Sequence, residues 1–227
     1  SKNEILRDRL AFLTQRNQVK YKYVAFDIWF SSNENFKMIH HDLKKCFVSA
    51  IKSNRKVALS VEEKLQGKFI KVSDIDLQSG SSIKVWIKGL NFEVRLVKQV
   101  FTNKDGSTGV LYLVSNDLEL SYEEHIAIYQ KRWKVEEFHK SAKQNAGIGR
   151  SPTKYELTQS NHIFGSMISV CKLELLKIKH KKNHFALKAQ LYLKAMKAAF
   201  EELQNLKQSV LMIEHQQYST LPILALS

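Results

Sequence analysis

Within residues 121–147, SYEEHIAIYQKRWKVEEFHKSAKQNAG, four chemically capable side chains follow one another at fixed gaps: Tyr129, Arg132, Glu136 and Lys143. On a helix, at about 100° per residue, they fall within an arc of roughly 60°. A carboxylate set among a guanidinium, an ammonium and a phenol is a way to hold a phosphate and a divalent metal together. The guanidinium clasps phosphate oxygens bidentately, and the carboxylate offers hard oxygens to the cation. The same row also fits a solvated helix face whose charges pair at i, i+4.

The elements that must position this row can be read outward from it. Ser121 followed by Glu124 is a capping box, and Gly147 supplies a stop, so the pattern predicts one helix over 121–147. Ile128, Val135, Phe138, Ala142 and Ala146 form a neighbouring apolar stripe that would dock it. Upstream, Tyr23-Val24-Ala25-Phe26 is a short β-prone run closed by Asp27. An acid at the carboxyl end of an α/β strand projects into the crevice where sites form; a turn or cap role is the alternative. Helices are expected over 4–17 and 33–43, and a strand over 45–51 that ends in the basic turn 52–55. Strand-like segments at 56–60, 68–73, 82–88, 91–101 and 108–115 then alternate with turn signals, among them Ser79-Gly80 and Asn103-Lys104-Asp105-Gly106. These read as an antiparallel block lying between Asp27 and Glu136. Helices over 155–178 and 185–206 follow, the second using Leu187, Leu191, Tyr192, Ala195, Ala198 and Leu203.

Composition narrows the partners. The 227 residues are 44% hydrophobic, which is globular, and carry a net charge of +14 with a pI near 9.6, the first mark of a nucleic-acid binder. Cys46 and Cys171 are too few and too separate for a disulfide framework or a Cys-based metal site, which fits a reducing cytoplasm. No apolar run reaches membrane-spanning length and no signal peptide is visible. The chain starts at Ser1 and enters a helical pattern at once, as a piece of a longer protein would.

The spacing Tyr129-x2-Arg132-x3-Glu136-x6-Lys143 resembles the Tyr-Arg-Glu-Lys signature of DDE transposases from bacterial insertion sequences, in the insertion-sequence-four group. Trp133, Phe138-His139-Lys140, Ser151-Pro152, Gln159 and His162 agree with it, as does the run Asp27-Ile28-Trp29-Phe30-Ser31-Ser32 around that group's second catalytic Asp. The resemblance covers most of residues 1–180. It implies an α/β (α+β) chain with a partial ribonuclease-H-like fold, a β-rich insertion and C-terminal helices. The implied division is a core half over 1–55, the insertion over 56–116, the Glu-bearing helix region over 117–150 and a helical region over 151–227.

The resemblance implies that Asp27 and Glu136 are catalytic and bind Mg²⁺ or Mn²⁺, with another Asp from a strand before residue 1. It makes Tyr129, Arg132, Lys143 and Lys140 contacts to DNA, and Trp86 in the insertion an aromatic that holds a flipped base; a core strand position is the alternative for Trp86. The implied activity is nicking and strand transfer at insertion-sequence ends, with DNA and a second copy as partners, at the bacterial nucleoid. A truncated, inactive remnant that retains DNA binding is the rival reading.

Overall fold

The computed structural model describes residues 1–103 and 105–219; Lys104 of the expected hairpin turn and tail residues 220–227 lie outside the described residues. The chain divides into two compact units, Ser1–Lys134 and Val135–Ser227.

The first unit opens with α1 (Lys2–Ala11), capped by a Ser1–Glu4 capping box. Strand β1 (Tyr23–Phe26) follows, then α2 (Asn33–Lys37), prolonged by a wide turn over Met38–Asp42. Ser32 caps α2 by accepting from the Asn35 N–H at 3.2 Å. Next come β2 (Cys46–Ile51), β3 (Lys56–Ala58), the short α3 (Val61–Leu65) and β4 (Ile70–Lys71). Strands β5 (Ser82–Ile87), β6 (Val94–Thr102) and β7 (Thr108–Ser115) complete the series, and α4 (Tyr122–Gln130) closes the unit.

Among the described residues the strands form one seven-stranded sheet in the order β1-β2-β7-β6-β5-β3-β4. Only β1 and β2 run parallel, with Ala25 opposite Val48. Every other pairing is antiparallel, and the β6–β7 hairpin extends from Arg95↔Ser115 to Thr102↔Thr108. The β-rich segment is therefore continuous with the core, because β7 returns to pair with β2 at Val48↔Ser115.

Strand alternation separates two apolar layers. Phe47, Ile51, Leu96, Tyr112 and Val114 face Leu10 of α1 and Phe36 and Ile39 beside α2, with Phe36 stacked on Phe47 at 4.4 Å between ring centroids. The in-between residues Val48, Ala50, Val97 and Leu113 face Leu120 and Tyr129, so α4 covers the opposite side. Helix-on-sheet packing on both faces over this mixed sheet is compatible with the ribonuclease-H-like α+β class.

The second unit carries most of α5 (Trp133–Gln144), then α6 (Glu156–His180) and α7 (His184–Ser219). Asn183 caps α7 by accepting from the Ala186 N–H at 2.9 Å. Val170, Leu173 and Leu187 are buried, whereas Leu191, Tyr192 and Leu203, expected on a docked face, are exposed. Helical periodicity alone does not bury a face when none of the described elements packs on it.

Candidate functional site

The expected single helix over 121–147 is two helices. The Ser121–Glu124 capping box forms as read, but α4 ends at Gln130 and α5 begins at Trp133. Between them the N–H groups of Lys131, Arg132 and Lys134 donate to the carbonyls of Ile128, Tyr129 and Lys131, each three residues back. This tight 3₁₀ spacing interrupts the α-helical phase. The arc drawn through all four residues therefore does not hold across Lys131–Arg132. Tyr129 and Arg132 belong to the end of α4 and its turn. Glu136, Lys140 and Lys143, spaced i, i+4, i+7, share one face of α5 and are exposed.

In the first unit the structure brings three predicted residues together. Asp27 ends β1 and caps a 3₁₀ turn over Ile28–Phe30, its Oδ1 accepting from the Ile28 N–H at 2.6 Å. Its other oxygen, Oδ2, lies 3.8 Å from Nη1 of Arg132. The Asp27 side chain is 43% exposed and that of Arg132 15%. Tyr129 is buried against the sheet, with the Arg132 guanidinium 5.5 Å from its ring centre and 5.2 Å from that of Trp133. Burial pushes the Tyr129 phenol above its ordinary value; Arg132 opposes the shift and Asp27 adds to it. So a neutral phenol, a guanidinium held by two rings and a solvent-facing carboxylate meet at the strand end.

This cluster suits phosphate and a hard cation in different parts. The guanidinium can clasp phosphate oxygens, and the exposed carboxylate keeps lone pairs for Mg²⁺ or Mn²⁺. Among the described residues no group of three His, Cys, Asp or Glu side chains gathers as a ready metal cage. The Asp27 carboxylate offers hard oxygens of the right type for such a cation.

The expected apolar stripe on α5 is buried only at Ala142. Val135 and Phe138 are exposed, and the buried residues of α5 are Ser141 and Ala142. Ser141 Oγ meets His184 Nδ1 at 2.6 Å, while His184 Nε2 lies 3.3 Å from Glu174 Oε1. Asn145 donates to the same hydroxyl at 3.2 Å, and Lys188 donates to the Gln144 carbonyl at 2.5 Å. Polar contacts thus tie α5 to α6 and α7, which a hydrophobic stripe could not reveal.

Trp86 sits partly buried on β5, opposite Ala58, with the Lys64 ammonium 3.7 Å above its ring. His125 is fully buried and its Nδ1 pairs with the Ser121 carbonyl at 3.0 Å. His162, whose role the sequence left open, bonds through Nε2 to the Gly147 carbonyl at 2.9 Å. Gly147 takes the left-handed conformation (φ +67°), as its use as a stop requires. Asp117 went unnoticed in the sequence. It accepts from the Tyr23 hydroxyl at 2.7 Å and pairs with Lys22 at 3.2 Å, tying β1 to the chain just after β7.

No helix among the described residues is long and apolar enough to cross a membrane. No curated protein matches the sequence closely enough to count as a relative. Residues 2–171, well over half of the chain and including every residue of the Asp27, Tyr129, Arg132, Glu136 and Lys143 set, match the model of the family described as the transposase DDE domain. A carboxylate at a strand end beside an Arg agrees with that match, and the chain belongs to the transposase DDE domain family.

Proposed function

We propose that this chain is the catalytic part of a DNA transposase that cleaves and transfers DNA strands at insertion-sequence ends in a divalent-metal-dependent reaction. Membership of the family implies DNA transposase function. The observation that carries the finer reading is the Asp27–Arg132 pair beside Tyr129 at the end of β1. Asp27 and Glu136 would hold Mg²⁺ or Mn²⁺, which when bound activates the attacking oxygen and stabilises the leaving one. Arg132, Lys140 and Lys143 would neutralise and orient the phosphates, and Tyr129 would add a hydroxyl donor. Trp86 would offer an aromatic face to an unstacked base once Lys64 moves aside. A homodimer on DNA completes the proposal, read by light scattering with and without end DNA.

The test is nicking of a supercoiled plasmid bearing the element's ends, by the full-length parent protein, with Mg²⁺ or with chelator. Asp27→Asn and Glu136→Gln should each abolish metal-dependent nicking while leaving DNA binding in place. Unchanged nicking in either variant sinks the assignment. The second reading is an inactive DNA-binding remnant. It predicts binding without nicking in the unaltered protein.

A further inference from the structure

Two residues beyond Asp27, Trp29 is 82% exposed, far from the usual fate of so large an apolar ring. The backbone turn that carries it is hydrogen-bonded. The Phe30 N–H donates to the Asp27 carbonyl at 2.9 Å, and the Ser31 N–H and hydroxyl both donate to the Ile28 carbonyl, at 3.2 and 2.7 Å. Beside it opens a cavity of about 460 Å³ lined also by Lys52, Asn54, Arg55, Lys56 and Lys88. That volume lies within the range of small-ligand sites, about 300–1,000 Å³. None of the described residues lining it is acidic.

The wall is built rather than incidental. Asn33 at the start of α2 accepts from Arg55 and donates to the Lys88 carbonyl at 3.0 Å, joining the β2–β3 turn to the end of β5. Gly89 makes this junction possible: its φ is +89°, and a Cβ there would sit 2.4 Å from Asn33 Nδ2. Burial pushes the Arg55 guanidinium below its ordinary value, with Glu34 opposing. A second cavity of about 430 Å³ shares Ile28, Lys52 and Asn54 and continues toward Val110 and Tyr112.

Four cations along a groove with a solvent-facing indole are the two ingredients of single-strand recognition: charge that follows the backbone and a ring on which a base stacks. Trp86 offers less, since an ammonium already covers one face of its ring. We infer that the cleft between Trp29 and Lys52, Arg55, Lys56 and Lys88 binds an unpaired DNA nucleotide, its base stacked on Trp29 and its phosphates on the cations. This rests on the DNA-acting function proposed above and names a subsite of it, one that holds a single-stranded end beside Asp27.

The test is anisotropy of labelled DNA with the full chain in chelator, where no chemistry is read, comparing a duplex with a single-stranded overhang and a blunt duplex. Trp29→Ala should weaken overhang binding about tenfold or more, from the stacking contribution of one base, and blunt-duplex binding less than about twofold. Trp29→Phe should restore most of the loss. Lys52→Ala and Lys88→Ala should each reduce the salt slope on single-stranded DNA by about 0.7. Equal losses on both DNAs, no loss on either, or no rescue by Phe would overturn the subsite. If nicking depends on Asp27 while the overhang preference is absent, the subsite alone falls. If the overhang preference is present and nicking never occurs, the catalytic reading falls and the subsite stands.

Discussion

Replacing Arg132 with Ala separates structural from DNA-binding roles at the strand end. The ion pair with Asp27 is 3.8 Å long and its carboxylate is 43% exposed, so it contributes at most about 1 kcal/mol to stability. Contacts of the guanidinium with the Tyr129 and Trp133 rings add about 0.5–1 kcal/mol each. Stability should therefore fall by only about 1–3 kcal/mol, which a folded domain tolerates. A charge-assisted hydrogen bond to phosphate is worth about 1.5–3 kcal/mol, or roughly ten- to a hundredfold in affinity. The slope of log affinity against log salt on duplex DNA should also become shallower by about 0.9. Arg132→Lys should keep the slope, because the charge stays, yet lose part of the affinity because the fork is gone. The assay is a salt titration of DNA binding from about 50 to 200 mM for the three proteins, beside urea unfolding of each. A slope unchanged in Arg132→Ala, or an affinity loss fully accounted for by unfolding, refutes a phosphate contact at this position.

Other perturbations probe the scaffold. Phe36 is fully buried and stacked on Phe47, so Phe36→Ala should cost about 3–5 kcal/mol in urea unfolding; a loss below 1 kcal/mol would show that this layer is not the core. Gly89→Ala should destabilise the first unit by about 1–3 kcal/mol and weaken single-strand binding, since the new Cβ drives Asn33 from Lys88 and Arg55; unaltered binding would detach the cleft from this junction. Burial holds His125 below its ordinary value, so its contribution to stability is present above about pH 6.5 and is lost as pH falls through its lower folded value. Unfolding measured from neutral to mildly acid pH should show that decline, reduced in His125→Phe; an identical pH profile in the variant would remove His125 as its source.

The elements governed by local pattern were legible before any coordinates. Tyr23–Phe26 is a short β-prone run that closes at an acid, Ser121 and Glu124 satisfy each other's backbone donors, and β6 and β7 show the two-residue period of a hairpin. These depend on neighbours within a few residues, so the sequence by itself determined them, together with the residue types and gaps that carry the family signature. It also determined the surplus of positive charge. Three matters lay beyond it. The interruption of the helix at Lys131–Arg132 arises where local hydrogen bonding tightens to three-residue spacing with no Pro or Gly to announce it. The tether of Ser141 to His184 joins residues 43 positions apart, a pairing no local period encodes. The cleft beside Trp29 exists only because β2, β3, α2 and β5 bring Lys52, Arg55, Asn33 and Lys88 to one place. Sequence decides which groups are available and which short segments are helical or extended. Only the folded chain, by burying some groups and leaving others in water at bonding distance, decides which of them act together.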